Sequence, residues 1–301
     1  MADDWLNGEF VDETKSSLPL RDTGLLHAAG VFTTMRADGG VVFRLDRHLK
    51  RIRQSCDALF IPLQYTDQAL TEAVDQLLRR RNLLDARMRL TITRGSARHD
   101  PIHGARLEPN VFITATNLDP YPNDYYQRGF TVITLDDQKL NPYDIQAGHK
   151  TLNYFTRLAS LRAANNRQAG EALWFNVHNY LQSGSISNVF VVEAGRLLTP
   201  PTQADLQLPS ISSSTPYPRS NVLPGVTRQT MIELAESAGI HVDIRALTIN
   251  DLLEADEIFL TNSIMRVMPV CRVERKAVAN EKPGEITKKL MEAYRKLAAA
   301  R

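Results

Sequence analysis

The sequence predicts two α/β domains joined near residue 121. Strand-like and helical apolar patterns alternate along the chain, which is typical of mixed α/β folds. The length of 301 residues suits one large or two ordinary domains, and a hydrophobic content of 43% is enough for sizeable cores. The Pro/Asp-rich stretch "DPYPND" is the best candidate linker. We therefore predict an N-terminal domain over residues 1–118, a linker over 119–124 and a C-terminal domain over 125–301.

The N-terminal domain is predicted to contain strands, then two helices, then further strands. "GVFTTMRADGGVVFR" predicts two strands around a turn at Asp38–Gly40. Apolar residues at positions 45, 49, 52, 56, 59 and 60 form the stripe of a helix over 45–60. A second helix is predicted over 67–84 with Thr66 as its N-cap. "ARMRLTITRG" and "NVFITATNL" predict two more strands.

The C-terminal domain begins with the predicted strand "GFTVITL" and a helix over 151–170 that Gly170 stops. Two strand-forming runs then flank "LQSGSISNVF", residues 181–190, whose small polar residues exceed what a hairpin turn needs. A turn and helix are predicted over 223–240, a strand over 256–263 and an amphipathic helix over 285–300. The Ser/Pro-rich stretch 206–221 is predicted to be an exposed, mobile loop.

Composition argues against several classes of function. The net charge is +2, from 36 basic and 34 acidic residues, so the chain has no electrostatic footprint for nucleic acid. No stretch approaches ~18–20 consecutive apolar residues, and the acidic N-terminus lacks an apolar signal, so we expect neither a membrane partner nor secretion. Cys56 and Cys271 indicate buried small hydrophobes rather than a disulfide framework or a metal site. We expect a cytoplasmic protein without a bound metal.

Lys150 is the first candidate for chemistry. "AGHKTLNY" places it after a glycine, at the predicted start of a helix and among apolar neighbours. A helix N-terminus disfavours a cation, and Schiff-base chemistry requires a lysine with a lowered pKa. The alternative is an ordinary solvated lysine, because Lys is almost never buried unpaired.

Two further segments carry donors that suit a phosphate. In "LPGVTRQT" the helix starts at about Val226–Thr227, where free backbone N–H groups and a hydroxyl can bind an anion. The strand "DEIFL" ends in a second donor cluster at Thr261–Asn262–Ser263. Arg51 and Arg53, on the first helix, could also meet a phosphate. The alternatives are an ordinary turn and N-cap, a plain strand-end turn and a solvated helix face.

Six segments in order resemble the fold-type IV pyridoxal-phosphate enzymes: "FTT…R", "HLKR", "HKTLNY", "SGSISNVF", "LPGVTR" and "EIFLTNS…MPV". These are the class IV aminotransferases, which include branched-chain and D-amino-acid transaminases and aminodeoxychorismate lyase. The resemblance runs from about residue 20 to 270. It implies an α/β (α+β) fold with a smaller N-terminal domain and a larger, strand-rich C-terminal domain, and a homodimer.

The resemblance also implies roles for single residues around pyridoxal 5′-phosphate. Lys150 resembles the lysine that forms the Schiff base and then moves the proton. Arg51 resembles the arginine that grips the phosphate, and Tyr154 resembles a tyrosine near the ring hydroxyl, with a core aromatic as the alternative for Tyr154. The other donors implied for the phosphate are Val226, Thr227, Thr261 and Asn262.

The polar run departs from the family pattern. Ser183, Ser187 and Asn188 are implied to lie under the cofactor ring, and most of the family has a glutamate where this chain has Ser183. That carboxylate keeps the pyridine nitrogen protonated and so makes the ring a strong electron sink. A serine hydroxyl can bond to the nitrogen but cannot hold the charge, which handicaps transamination more than β-elimination.

The substrate contacts and the reaction stay open at this level. Thr33 in "FTT" and Met265 in "NSIMRVMPVC" lie in lyase-like segments, and Arg94 and Arg98 in "TRGSARHDPIHG" are candidates for binding a substrate carboxylate, or are solvated loop arginines. Three hypotheses remain: an aminotransferase acting on a small amino acid or amine, an aminodeoxychorismate-lyase-like enzyme, and a cofactor-binding protein with little catalysis.

Overall fold

The computed structural model describes residues 3–100 and 104–300, and the side chains of residues 97–100, 104–106, 136 and 137 lie outside that description. Backbone contacts divide the chain into two compact units. The N-terminal unit comprises the residues up to Asp119 together with His149–Tyr154, and the C-terminal unit comprises Pro120–Gly148 and Phe155–Ala300. The short segment that carries Lys150 therefore groups with the N-terminal unit, an exchange that the sequence pattern does not indicate.

The N-terminal unit is built from one sheet, one hairpin and three helices within the described part of the chain. In chain order these elements are β1 (Asp3–Leu6), β2 (Glu9–Asp12), α1 (Thr23–His27), β3 (Gly30–Asp38), β4 (Val41–Val42), α2 (Leu45–Ala58), α3 (Asp67–Arg80), β5 (Ala86–Thr93), β6 (Ser96–Asp100), β7 (Gly104–Glu108) and β8 (Val111–Asn117).

The sheet of this unit is antiparallel, in the order β2-β1-β8-β5-β3-β4. Alternate residues such as Val31, Met35 and Leu90 enter the core, where the apolar stripes of α2 and α3 join them. The side chain of Thr66 accepts a hydrogen bond from the N–H of Ala69, which confirms the predicted N-cap of α3.

The C-terminal unit is dominated by a larger sheet. Its elements in chain order are α4 (Asn123–Arg128), β9 (Phe130–Leu140), α5 (Phe155–Asn166), β10 (Glu171–Asn176), β11 (Leu181–Gly184), β12 (Asn188–Glu193), β13 (Arg196–Thr199), a 3₁₀ turn (Asp205–Gln207), α6 (Pro209–Ser212), α7 (Val226–Ser237), β14 (Val242–Ile244), α8 (Ile249–Leu253), β15 (Glu257–Asn262), β16 (Arg266–Val273), β17 (Lys276–Ala277) and α9 (Glu285–Ala299).

This larger sheet runs β11-β10-β9-β16-β15-β12-β13-β14, with β17 added beside β16. β9 is parallel to both of its neighbours, and β13 is parallel to β14, so the sheet is mixed. Leu173, Val189 and Leu260 lie in its core, and α7 and α9 pack against β15. The predicted α/β architecture with a strand-rich C-terminal part is confirmed.

Three local predictions are wrong. The helix predicted over 151–170 begins only at Phe155, because residues 150–152 pair with a strand instead. "TRGSARHDPIHG" contains the strand β6 and the first residue of its partner β7, so it is not a simple loop. The stretch 206–221 is not exposed throughout, since Tyr217 and Ser220 are buried. Gln182 explains that burial: its Nε2 donates to Tyr217 Oη at 3.4 Å, and its Oε1 accepts from the N–H of Asn221 at 3.0 Å.

Several strands have no counterpart in the sequence-based prediction, among them the short strands β14 and β17. The longer ones are the β1–β2 hairpin near the N-terminus and the strand β16. Both Cys56 and Cys271 are free thiols in buried positions, as predicted. Within residues 3–100 and 104–300, no helix combines the length and the apolar character that crossing a bilayer requires.

Candidate functional site

Backbone pairing holds Lys150 at the edge of β3. β4 pairs with the end of β3, and residues 150–152 pair with its beginning. The N–H of Phe32 donates to the carbonyl of Lys150, and the N–H of Leu152 donates to the carbonyl of Gly30, each at 2.9 Å. Lys150 is thus fixed by extended backbone and not by a helix N-terminus, which corrects the expectation from the sequence.

Gly30 permits this close pairing. A Cβ at that position would lie 2.7 Å from both the carbonyl oxygen of Ile92 and the side chain of Leu152. A larger residue would therefore clash with the backbone of β5 at Ile92 and displace the Leu152 side chain, which packs against Gly30.

The amine of Lys150 lies among aromatic rings. Its Nζ donates a hydrogen bond to Tyr154 Oη at 3.0 Å and lies 4.6 Å from the centre of the Phe32 ring. The Phe32 and Tyr154 rings meet edge to face with centres 5.3 Å apart. Tyr154 precedes α5, so it is neither a helix residue nor an ordinary core aromatic, and its hydroxyl is available to Lys150.

Arg51 and Thr33 form one hydrogen-bonded cluster with His48. Arg51 Nη2 donates to Thr33 Oγ1 at 2.8 Å, and His48 Nδ1 lies 2.8 Å from the same hydroxyl. Burial lowers the pKa of Arg51 to about 10. Burial, followed by the charges of Arg51 and Lys150, lowers the pKa of His48 well below its usual value. Thr33 therefore holds Arg51 in place within this unit.

Arg89 is a functional candidate that the sequence analysis missed. It lies on β5, and its guanidinium carbon is 3.6 Å from the centre of the Phe32 ring. The amine of Lys150 lies near the same ring. Its Nε donates to Thr91 Oγ1 at 3.0 Å, and burial lowers its pKa to about 10. The alternation of β5 contained a signal, because Met88, Leu90 and Ile92 enter the core and leave the intervening arginine on the other face.

Glu171 organises the polar run in the C-terminal unit. Its buried carboxylate accepts hydrogen bonds from the backbone N–H groups of Ala172, Ser185 and Ile186 and from Ser187 Oγ, at 3.0–3.2 Å. Burial raises the pKa of Glu171, although the four donors oppose that effect. Four hydrogen bonds therefore tie the side chain of Glu171 to the polar run and to the start of β10.

Ser183 occupies β11, where it is opposite Trp174 and only 5% exposed. Its hydroxyl accepts a hydrogen bond from Arg157 Nη1 at 3.3 Å. Arg157 lies in the first turn of α5. No sequence pattern indicates a functional role for it, because it resembles an ordinary arginine on a helix surface.

Asn188 connects the polar run to the start of α7. Its Nδ2 donates to the carbonyl of Leu223 at 2.9 Å, and a Cβ on Gly225 would lie 2.0 Å from its Oδ1. On the sheet, Asn188 is the register partner of Thr261. This one asparagine therefore links the helix start and the strand end that the sequence singled out separately. The helix begins at Val226, as predicted.

Asn262 ties the end of β15 to the same run. Its Nδ2 donates to the carbonyl of Ile186 at 3.2 Å, and its Oδ1 accepts from the N–H of Met265 at 2.8 Å. Met265 is buried, and its carbonyl accepts a bond from Tyr126 Oη. Asn262 and Met265 thus shape the turn after β15.

The donors gathered here fit a phosphate group. Thr261 Oγ1 is buried and lacks a hydrogen-bond partner among the described residues. The first N–H groups of α7 lack partners within the helix, and Thr227 adds a buried hydroxyl at this end. An anion with several acceptor oxygens satisfies such a set.

The loop arginines are placed less informatively. Arg94 is exposed, and its N–H donates to the carbonyl of Ala29. The backbone of Arg98 belongs to β6, but its side chain lies outside the described residues.

Comparisons with known proteins agree with one another. Residues 30–273 match the model of a family described as amino-transferase class IV. Over 293 residues the chain is 33% identical to a Methanocaldococcus jannaschii protein named "Putative branched-chain-amino-acid aminotransferase", covering 97% of this chain and 94% of that protein.

Two solved structures share the fold over nearly the whole chain. Branched-chain amino acid aminotransferase of Escherichia coli superposes with a TM-score of 0.87 at 26% identity, covering 98% of this chain and 94% of that one. 4-Amino-4-deoxychorismate lyase of Pseudomonas aeruginosa superposes with a TM-score of 0.79 at 27% identity, covering 97% and 98% of the two chains.

Proposed function

The chain belongs to the class IV aminotransferase family, and from that premise we propose that it transfers an amino group to and from a small amino acid or amine, with Lys150 as the lysine that binds the cofactor. The family comprises fold-type IV enzymes that use pyridoxal 5′-phosphate, which is the cofactor of this chain. The observation that carries the assignment to Lys150 is its amine, which is held against Tyr154 Oη and the Phe32 ring by a segment paired with β3.

Pyridoxal 5′-phosphate supplies a carbonyl that condenses with amines and a ring that accepts electrons. Lys150 would hold it covalently through Nζ and carry the proton that the substrate loses and regains. The Tyr154 hydroxyl accepts a hydrogen bond from Nζ, so it orients the amine. Thr33 fixes the guanidinium of Arg51 for a phosphate.

Each unit offers donors that suit a phosphate group, and we propose them as its ligands. Arg51 contributes a buried cation, and the start of α7 contributes backbone N–H groups at Val226 and Thr227. Thr261 contributes the hydroxyl that lacks a partner among the described residues. Asn188, Asn262 and Ser187 act by fixing the segments that carry these donors.

Arg89 is proposed to bind the substrate carboxylate. It shares the Phe32 ring with Lys150, and a planar guanidinium can bind a carboxylate through two hydrogen bonds. Arg94, Arg98 and Met265 remain candidates for the rest of the substrate.

Borohydride reduction of the purified protein tests the assignment of the lysine. We expect a visible absorption band that reduction removes, and peptide mass spectrometry should locate the added pyridoxyl group on Lys150. Lys139 is the control, because its Nζ also stands near an aromatic ring, 5.3 Å from the centre of Phe175. Lys150→Ala should abolish the label and Lys139→Ala should keep it. A label on any lysine other than Lys150 contradicts the proposal.

An aminodeoxychorismate-lyase-like elimination is the second candidate. Two observations favour it: the likeness to the solved Pseudomonas lyase and the neutral Ser183. Single-turnover mixing with amino donors separates the two reactions. Conversion of the bound cofactor to pyridoxamine phosphate, detected by mass spectrometry, supports the aminotransferase, whereas pyruvate release from aminodeoxychorismate without that conversion supports the lyase. A protein that binds the cofactor but does neither would be the non-catalytic alternative.

We also propose that the enzyme is a cytoplasmic homodimer. Two buried free thiols suit a reducing compartment, and exposed leucines near α1 suit an interface with a second copy. Subcellular fractionation of the native cells tests the first statement, and the oligomeric state of the purified protein tests the second.

A further inference from the structure

Arg157 places a fixed positive charge beside Ser183. Its Nη1 donates to Ser183 Oγ at 3.3 Å and to the carbonyls of Gly184 and Ser185 at 3.1 Å each. Its guanidinium carbon lies 5.4 Å from the centre of the Trp174 ring. Three acceptors and one aromatic ring thus hold the guanidinium in one place. Arg157 lies in the first turn of α5, where the helix dipole is also positive.

Among the described contacts, the carboxyl group of Glu171 bonds to other residues of the polar run and not to Ser183. Glu171 uses its oxygens on the N–H groups of Ala172, Ser185 and Ile186 and on the hydroxyl of Ser187. Glu171 therefore bonds to residues 185–187 of the run, whereas Arg157 donates to Ser183 itself.

The bond from Arg157 determines how the Ser183 hydroxyl can bond to a further group. Because Ser183 Oγ accepts from Arg157, the hydroxyl proton can be donated onward to an acceptor. An unprotonated pyridine nitrogen is such an acceptor. A protonated one would bring a second positive charge close to the guanidinium, which Coulomb repulsion disfavours in a buried site.

We propose that Arg157, acting through Ser183, holds the pyridine nitrogen of the bound cofactor unprotonated. The inference rests on the proposed function and on the family resemblance, which implies that Ser183 lies at that nitrogen. It makes Arg157 a positioning residue that selects the protonation state of the ring. It also predicts that Ser183→Glu alone gains little, because the new carboxylate would pair with Arg157 rather than hold a proton on the ring.

The test is the ¹⁵N NMR shift of cofactor labelled at the ring nitrogen and bound to the protein. The wild type and Ser183→Glu should both show the shift of an unprotonated pyridine, and Arg157→Met combined with Ser183→Glu should show that of a protonated one. Combining Arg157→Lys with Ser183→Glu should keep the unprotonated shift. Arg162→Met, an exposed arginine on the same helix, should change nothing in the Ser183→Glu background. The Arg157→Met and Ser183→Glu double variant should also exceed Ser183→Glu at least tenfold in the rate of the transamination half-reaction.

The outcomes separate the inference from the proposed function. A pyridoxyl label on Lys150 together with a protonated shift in the wild type overturns the inference and leaves the function standing. The inference is also overturned, with the function left standing, if the Arg157→Met and Ser183→Glu double variant shows the same ¹⁵N shift as Ser183→Glu alone. Absence of a Lys150 label overturns both. The wild-type measurement does not depend on whether any variant folds. In cofactor-free protein, a double-mutant cycle of urea unfolding with Arg157→Met and Ser183→Glu should show an interaction energy between the two positions.

Discussion

Arg51 and Arg53 stand two positions apart on α2 and have different surroundings. Arg51 is held by Thr33, whereas Arg53 donates to the exposed Asp67 and to the carbonyl of Tyr65. We expect Arg51→Ala to weaken cofactor binding about 10- to 100-fold, since a hydrogen bond to a charged group contributes roughly 1.5–3 kcal/mol. Arg53→Ala is the matched control and should leave affinity unchanged. Titration of the cofactor-free variants measures both, and equal losses would show that the wrong arginine was chosen.

His48 predicts a pH dependence at the same scale. Its folded-state pKa lies well below 6.5, so between these two values the unfolded chain binds a proton that the folded chain does not. His48 therefore leaves the free energy of unfolding unaffected above pH 6.5 and lowers it as the pH falls below 6.5. We expect a loss of about 1 kcal/mol between pH 7.5 and 5.5 from this residue. His149, whose pKa burial also lowers, adds a loss in the same direction.

Urea unfolding at the two pH values measures that loss. His48→Gln should show a smaller loss than the wild type. His241→Gln, which changes an exposed side chain, should show the full loss. A wild-type-like pH dependence in His48→Gln would contradict the assignment.

At the scale of elements, the polar run depends on Glu171. Glu171→Gln turns one accepting oxygen into a donor that faces N–H and O–H groups. We expect a loss of about 1–3 kcal/mol in the free energy of unfolding, the cost of leaving buried polar groups unsatisfied. Glu193→Gln on β12 is the control, since its carboxylate pairs with arginines at the surface and should contribute less than about 1 kcal/mol. Urea unfolding that gave equal losses would show that Glu171 does not organise the run.

The sequence predicted elements well where one apolar pattern sufficed. β3, α2, α3 and the start of α7 follow local periodicity, and Thr66 caps α3 as its position indicates. It failed where a contact joins distant residues. Thr151 bridges Val31 across 120 positions, so the pattern that resembled a helix start is an edge strand. Tyr217 is buried because Gln182 reaches it, which no local composition reveals.

Sequence motifs indicate part of the candidate site, and they miss the residues whose roles depend on distant contacts. Motifs alone indicate four of the candidate residues, and the surroundings of each are compatible with its proposed role: Lys150, Arg51, Thr227 and Thr261. The sequence does not single out Arg89, Arg157 or Glu171, because a charged residue in a strand or helix resembles a solvated one until its partners are known. Their charges act through contacts with Phe32, Ser183 and Ser187 that depend on tertiary structure.

At the scale of the whole molecule, the feature that bears on assembly is the exposed surface of α1. Leu25 and Leu26 are 60% and 56% exposed, and the nearby Leu20 is 81% exposed. This helix is not loosely attached. Its N-cap Asp22 is buried and accepts hydrogen bonds from the N–H of Gly24 and from Thr93 Oγ1 at 2.6 Å each. A firmly held helix that presents leucines to water is typical of a surface that a partner covers.

We therefore expect the wild type to be a dimer in sedimentation velocity at micromolar concentration, and Leu25→Glu combined with Leu26→Glu to be a monomer. Two buried carboxylates facing a second copy would cost more than the interface gains, because a charge taken from water without a partner is expensive. Leu84→Glu is the control, since Leu84 is 67% exposed and lies outside the 20–26 segment. It should sediment as a dimer. A double variant that remains dimeric would place the interface elsewhere, and a monomeric wild type would remove the homodimer from the proposal. Circular dichroism of each variant separates loss of the interface from loss of the fold.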